Sequence, residues 1–169
     1  MLGSDPLATT RSMRLSDILN VDRILVDMDG SFVTAKPVAL RLLGEMLAPA
    51  LGVDHAAVEH LLLERENLQS TGIGDGVAIP HCALETAAAA QAGALVLCPR
   101  GIDFDAIDGE RVEIVFGVVG PKRATGEHLR TLARISRLLR DESTRLKLLS
   151  SASPASAYEV IRAHEAAER

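Results

Sequence analysis

Residues 112–119 read VEIVFGVV, the longest run of the chain that is rich in β-branched side chains. Such a run is typical of a buried strand, because branched and aromatic side chains pack well on a pleated surface. Asp108 and Gly109 lie just before it and form an Asp-Gly turn signature. The segment therefore predicts the central strand of a sheet, entered from a tight turn.

Shorter apolar runs on either side predict the other elements of the fold. Strands are predicted over 24–28, 77–79 and 93–97. Apolar residues at helical spacing predict helices that begin near Pro37, Asp54 and Gly126, and two shorter ones over 142–149 and 155–167. Pro49 is expected to end the first of these helices. Strands and helices that alternate in this way indicate a single layered α/β domain.

Length and composition restrict the class of protein. A chain of 169 residues fits one domain, and its 47% hydrophobic content is ample for a core. A net charge of -5 and 2% aromatic residues argue against a nucleic-acid partner, because binding needs cationic fields and stacking rings. Cys82 and Cys98 lack zinc-site spacing. We expect a cytoplasmic protein without membrane insertion, and a flexible leader over residues 1–12.

The stretch STGIGDGVAIPH at residues 70–81 carries the clearest chemical signal. Three glycines at alternate positions allow backbone N–H groups to approach an anion closely, and they are Gly72, Gly74 and Gly76. Pro80 restricts the backbone before His81, whose neutral imidazole is a nucleophile near pH 7. The stretch predicts a phosphoryl acceptor, although a histidine after proline also occurs as an ordinary loop residue. It matches no nucleotide-binding signature.

A second phosphate chemistry competes at residues 24–34, which read ILVDMDGSFVT. This segment resembles the first motif of haloacid dehalogenase-type phosphatases. By that resemblance Asp27 would be the nucleophile and Asp29 the acid, with Mg²⁺ neutralising the phosphate. The other interpretation is that Asp29 and Gly30 form a turn that ends a strand.

Three longer segments resemble one family over about residues 15–165. They read LLLERENLQSTGIGDGVAIPH at 61–81, GIDFDAIDGERVEIVFGVVGP at 101–121 and EHLRTLARISRLLRD at 127–141. The chain resembles enzyme IIA domains of the bacterial phosphoenolpyruvate-dependent phosphotransferase system, of the fructose/mannitol and nitrogen-regulatory type. The resemblance implies a domain over 13–169 with a mixed sheet of about five strands flanked by helices. It also implies that His81 accepts a phosphoryl group from an HPr-like carrier protein, with no cofactor and no metal.

Two further residues are predicted to support His81. A phosphorylated ring carries close to two negative charges, which the guanidinium of Arg65 can meet with paired hydrogen bonds. His128 is expected at the start of its helix, where it could hydrogen-bond His81 or its phosphate. The other interpretations are a surface cation at a helix end for Arg65 and a capping or partly buried ring for His128.

Some features leave the function open within and outside the family. Cys82 stands where the family usually has a small residue, so its thiol is either a packed neighbour or a redox-sensitive group. Ile73, Val77 and Ile79 are predicted either as an apolar docking surface or as core.

The free-standing domain favours the nitrogen-regulatory branch, which signals through its phosphorylation state to regulatory target proteins. A sugar-specific subunit that passes phosphate to an enzyme IIB, and a binding module that has lost phosphotransfer, are the other functions.

Overall fold

The structure is a computed structural model that describes residues 13–85 and 90–168. The predicted leader over 1–12 lies outside the described residues. The helices are α1 (Leu15–Ile18), α2 (Lys36–Leu51), α3 (His55–Leu68), α4 (Thr125–Arg140), α5 (Glu142–Leu149) and α6 (Pro154–Ala167). The strands are β1 (Ile24–Val26), β2 (Gly72–Gly74), β3 (Val77–Ala78), β4 (His81–Leu84), β5 (Ala92–Ile102) and β6 (Val112–Pro121).

The strands form one mixed sheet with β6 at its centre. The order is β1-β5-β6-β3-β2, and β4 also pairs with β6. β5 lies antiparallel on one side of β6, whereas β3 and β4 lie parallel to it on the other side, one after the other. The prediction of a central strand over 112–119 is therefore confirmed, and the α/β class with a mixed sheet is confirmed with six strands.

Helices cover both faces of the sheet and divide the core into two layers. α2 and α3 pack against one face, where Val96 and Val115 are buried. α1, α4 and α6 pack against the other face, where Leu95 and Phe116 are buried. Neighbouring residues of β5 and β6 thus belong to opposite layers, as the two-residue period of a strand requires. A strand buried on both faces reads as a continuous apolar run, which explains the appearance of residues 112–119.

The boundaries of α2 differ from the sequence prediction. Pro49 does not end this helix, which continues to Leu51. Gly52 ends it in a left-handed conformation with φ of 68° and donates its N–H to Ala48 O. Pro49 lies in the last turn, where its missing N–H removes only one hydrogen bond. No helix within the described ranges combines the length and the apolar character needed to cross a bilayer.

Candidate functional site

His81 is the first residue of β4, and the sheet fixes its position. Its Cα pairs with Val118 of β6, and the carbonyl of Pro80 accepts the N–H of Val118. The Nδ1 atom of the half-buried ring lies 2.7 Å from Ile79 O. A carbonyl can only accept, so we assign the ring proton to Nδ1. Nε2 then keeps its lone pair and is the nucleophilic atom of the ring.

The surroundings of His81 favour the uncharged imidazole. Burial is the largest cause that lowers its pKa below the usual 6.5, and the positive charge of Arg65 acts in the same direction. The hydrogen bond to Ile79 O and the negative charge of Glu66 oppose this shift. Because the net shift is downward, the ring is neutral near pH 7 and Nε2 is available to attack phosphorus.

His128 lies in the first turn of α4, beside His81. The two ring centroids are 5.7 Å apart and the planes are inclined by 49°. Burial lowers the pKa of His128, and so does the charge of a protonated His81. Its Nδ1 atom is buried and has no hydrogen-bond partner among the described residues. An unpartnered polar atom at this place is well suited to bind a group that arrives at His81.

Arg65, the third predicted site residue, occupies the last turn of α3. Its Nη1 donates to Gln69 O over 2.9 Å, so the side chain helps to cap the end of the helix. Its charge also lowers the pKa of His81, which places the guanidinium within electrostatic reach of the ring. From this one position Arg65 can both cap the end of α3 and act on the charge of His81. The structure thus places the rings of His81 and His128 side by side, with the charge of Arg65 within electrostatic reach of His81.

Glu66, a buried carboxylate that connects α3 to the site, was not predicted from the sequence. Only 5% of this residue is exposed. Its oxygens accept the N–H and the hydroxyl of Thr71 and lie 3.1 Å from Lys36 Nζ. Thr71 O in turn accepts the N–H of Ile79, whose carbonyl holds His81. In the sequence Glu66 is only an acidic residue next to Arg65, and nothing there indicates that Lys36 and Thr71 are its partners.

The three glycines predicted to surround a phosphate have a different place in the structure. Gly72 and Gly74 belong to β2, and Gly76 lies in the turn that joins β2 to β3, with φ of 76°. Val77 pairs with Ile114 of β6, whereas His81 pairs with Val118. Four residues of a strand span about 13 Å. The turn of this hairpin is therefore separated from His81, and the structure does not bring Gly74 and Gly76 to the ring.

The structure also shows the surroundings of Cys82, which follows His81, and of Asp75, which lies between Gly74 and Gly76. Burial raises the pKa of the Cys82 thiol to about 12, so the thiol stays protonated. A protonated thiol is a poor nucleophile, which favours Cys82 as a packed neighbour over a redox-sensitive group. Asp75 is exposed, with φ of 57°, and its N–H donates to the carboxylate of Asp108.

The phosphatase interpretation of residues 24–34 is wrong. Asp27 is buried after β1, and its Oδ2 accepts the N–H groups of Phe32 and Val33 at 3.1 and 2.7 Å. Asp29 is exposed and accepts the N–H and the hydroxyl of Ser31. Both carboxylates shape the turn after the strand, as aspartates do for backbone reasons. Asp27 is thus committed to the backbone and not presented to a substrate.

Comparison with known proteins identifies the family. Residues 17–164 match the model described as "Phosphoenolpyruvate-dependent sugar phosphotransferase system, EIIA 2". The chain belongs to this family. Its members are phosphotransferase components that transfer phosphate through a phosphohistidine, and they interact with HPr-like proteins and with enzyme IIB. The resemblance stated from the sequence motifs is confirmed, and the protein is an enzyme IIA of this type.

Individual relatives of this enzyme IIA refine the match. A nitrogen regulatory protein of Bradyrhizobium diazoefficiens is 37% identical over 149 residues, which cover 88% of this chain and 95% of the relative. The fructose-specific EIIABC component of Bacillus subtilis is 35% identical over 113 residues, which cover 66% of this chain and 18% of that protein. The crystal structure of nitrogen regulatory protein IIA-Ntr from Neisseria meningitidis superposes with a TM-score of 0.79 at 31% identity, covering 87% of this chain and 98% of that one.

Proposed function

We propose that the protein is a histidine phosphocarrier that accepts a phosphoryl group on Nε2 of His81 from the phosphohistidine of an HPr-like carrier. The observation that carries this proposal is the 2.7 Å contact between His81 Nδ1 and Ile79 O. It holds the proton on one nitrogen and leaves the other with a free electron pair. A lone pair fixed in direction before the partner arrives favours in-line attack on phosphorus.

The transfer exchanges one phosphorus–nitrogen bond for another. The lone pair of His81 Nε2 forms the new bond, and the bond to the donor's imidazole breaks, with its electron pair returning to that nitrogen. The phosphorylated His81 ring keeps its Nδ1 proton and gains positive character. Ile79 O stabilises that proton, because a hydrogen bond from a charged donor is stronger than one from a neutral donor.

Arg65 and His128 replace the hydrogen bonds to water that the phosphoryl group loses when it enters the site. A guanidinium can offer two parallel N–H donors to phosphate oxygens. The buried Nδ1 of His128 has no other partner in the described part of the chain. With a proton on this nitrogen, His128 donates to a phosphate oxygen and meets its own hydrogen-bonding requirement at the same time.

The regulatory branch of the family is the favoured biological role. The nitrogen regulatory relative matches 88% of this chain at 37% identity, whereas the fructose-specific relative matches 66% at 35%. We propose that the phosphorylation state of His81 is read by target proteins in the cytoplasm, where its phosphoryl donor is found. A sugar-specific role, with onward transfer to an enzyme IIB, is the weaker alternative.

The docking surface for the carrier differs from the one predicted. Val77 and Ile79 are 1% and 4% exposed and belong to the core, which leaves only Ile73 of the three predicted residues at the surface. Leu68 and Leu129 are 82% and 61% exposed. Leu68 follows Arg65 by three residues on α3, and Leu129 follows His128 on α4. We propose that these two leucines flank His81 and form the apolar part of the docking surface.

Phosphorylation of purified protein tests the function. The protein is incubated with phosphoenolpyruvate, enzyme I and an HPr-type carrier, and the acid-labile phosphate on it is measured. We expect wild type and His60→Ala to be labelled and His81→Ala to remain unlabelled. His60 is a suitable control because it lies on the exposed face of α3, paired with Glu64. Labelling of His81→Ala at the wild-type level would refute the assignment, and an unlabelled wild type would favour a binding module.

A further inference from the structure

A cavity of about 320 Å³ lies between the β2–β3 hairpin and the C-terminal half of α4. The hairpin belongs to the glycine-rich stretch, whose turn is separated from His81. The cavity has an apolar lining and a polar lining, which come from Ile73, Val77 and Leu139 and from Asp75, Ser136 and Arg140. Its volume falls at the lower end of the range of small-molecule sites.

Asp75 lies at the turn of the hairpin in a backbone conformation that is uncommon for a residue with a side chain. Its φ is 57°, and it stands between Gly74 and Gly76, whose φ angles are 101° and 76°. Aspartate tolerates this left-handed region better than most residues do. The N–H of Asp75 donates to the carboxylate of Asp108 over 3.1 Å, which fixes the turn. Strained positions of this kind concentrate where side chains contact ligands.

The two charged residues of the cavity do not neutralise each other. Asp75 and Arg140 are both exposed. Within residues 13–85 and 90–168, neither side chain forms a salt bridge or a hydrogen bond, with the other or with a third group. Ser136 lies one turn before Arg140, so its hydroxyl is on the same face of α4 as the guanidinium. One anion and one cation thus line the same cavity and are both available to a ligand.

This combination of charges restricts the class of ligand. An anion that approaches Arg140 is repelled by Asp75, and a cation that approaches Asp75 is repelled by Arg140. A zwitterion satisfies both groups at once, because its carboxylate can accept from the guanidinium while its ammonium group donates to the carboxylate. The apolar lining includes Val77 and Leu139, which are 1% and 2% exposed and form a floor for an apolar group.

We propose that this cavity binds a free α-amino acid with an apolar side chain. Arg140 donates to the carboxylate of the amino acid, and Asp75 accepts a hydrogen bond from its ammonium group. The side chain of the amino acid packs against Ile73, Val77 and Leu139. Binding at this cavity is a function separate from phosphotransfer, and it assigns a role to the hairpin that the phosphoryl site does not use.

Three small molecules of matched shape test the proposal. Leucine carries both charges, isocaproate lacks the ammonium group, and isoamylamine lacks the carboxylate. Their binding to the full-length protein is measured by titration calorimetry near pH 7. We expect leucine to bind saturably, with one molecule per chain and with perturbed amide resonances of Ile73 and Leu139. Each analogue is expected to bind at least about tenfold more weakly, because one charge-assisted hydrogen bond is lost.

Two variants and two matched controls locate the site. Arg140→Gln and Asp75→Asn each remove one charge, and asparagine tolerates the left-handed turn as aspartate does. Both are expected to weaken leucine binding about tenfold. Arg137→Gln removes the same charge as Arg140→Gln from the same helix, and Glu110→Gln removes a negative charge from the loop before β6. Neither control residue lines the cavity, so both variants should bind leucine as wild type does.

Three outcomes would overturn the proposal. The first is an absence of saturable leucine binding at millimolar concentration. The second is binding of isocaproate or isoamylamine as tight as that of leucine, because a single charge would then suffice. The third is an equal loss of binding in the site variants and in their controls, which means a diffuse charge effect. Urea unfolding of each variant with the wild-type midpoint shows that the variants are folded.

Discussion

The imidazole of His81 has one nitrogen tied to the backbone and one left for chemistry. The bond from Nδ1 to Ile79 O leaves the lone pair on Nε2, while burial keeps the ring uncharged. A cation nearby lowers the pKa of the ring further, and in this site the cation is Arg65. In the transfer that we propose, the same guanidinium keeps the nucleophile neutral beforehand and balances the phosphoryl charge afterwards.

The pH dependence of the reaction follows from these shifts. The pKa values of His81 and His128 are both lowered in the folded protein. We expect the rate of phosphoryl acceptance to decline at acid pH as His81 takes up its proton, with the midpoint of the decline below pH 6.5, the ordinary pKa of histidine. NMR titration of the His81 ring nitrogens measures this directly. A His81 pKa above 6.5 would contradict the neutral-ring assignment.

The same shifts affect the free energy of unfolding. Below pH 6.5 these two histidines bind protons in the unfolded chain but are still unprotonated in the folded chain. The free energy of unfolding therefore falls as pH decreases through this window. The loss ends once pH has passed the lowered pKa values. Urea unfolding at several pH values between 5 and 8, about the range in which histidine titrates, checks the direction of the change.

Arg65 gives a third prediction at this scale. Arg65→Lys keeps a positive charge but loses the paired donors, and we expect phosphotransfer to slow about tenfold, equivalent to about 1.4 kcal/mol of transition-state stabilisation. Arg65→Gln is expected to slow it more. Single-turnover transfer from the phosphorylated carrier measures both rates. A wild-type rate for Arg65→Gln would remove Arg65 from the site and leave only its bond to Gln69 O at the end of α3.

At the scale of elements, the end of α3 and the strand that presents His81 are joined through Glu66. The carboxylate holds Thr71, Thr71 O holds Ile79, and Ile79 O holds the ring of His81. Lys36 of α2 joins the same carboxylate to Asp105 and lies over the ring of Phe104. Two helices and a loop thus meet at one buried negative charge.

Glu66→Gln is expected to destabilise the fold by about 1–3 kcal/mol, because it exchanges charge-assisted hydrogen bonds for neutral ones at a buried position. It also removes the negative charge that raises the pKa of His81, so that pKa should fall further. Urea unfolding and ring titration measure the two effects. Glu64→Gln, at an exposed position of the same helix, is the control. Equal stabilities for the two variants would show that the buried network adds little to the fold.

The sequence could predict some elements and not others, for physical reasons. Residues 112–119 predict a strand because β-branched side chains recur over eight positions, and β6 confirms it. The strand β4 was not predicted, because four residues starting at His81 carry too short a pattern to define a period. Glu66 was not found because its partners Lys36 and Thr71 come from other elements, and only the fold brings them together.

At the scale of the whole molecule, the two-sided sheet explains which apolar residues remain for docking. Val77 and Ile79 are two positions apart and point into the same core layer. From the sequence alone, their apolar character does not distinguish a core residue from a docking residue, because both roles require an apolar side chain. Leu68 and Leu129 are at helix positions that face away from both layers, beside Arg65 and His128. Apolar residues that are exposed on the isolated chain are typical of the centre of a protein–protein interface, which becomes buried when the partner binds.

Leu129→Glu tests this surface, with Leu146→Glu as a control matched in exposure. Both leucines are 61% exposed, but Leu146 lies on α5, which carries none of the predicted site residues. Surface substitutions change stability by about 0.5 kcal/mol or less, so both variants should unfold like wild type. We expect Leu129→Glu to raise the carrier concentration needed for half-maximal transfer at least about tenfold, through lost apolar contact at the interface centre, with little change in the saturated rate. Leu146→Glu should match wild type. If both variants transfer equally well over a range of carrier concentrations, the carrier docks on His81 without contacting this end of α4.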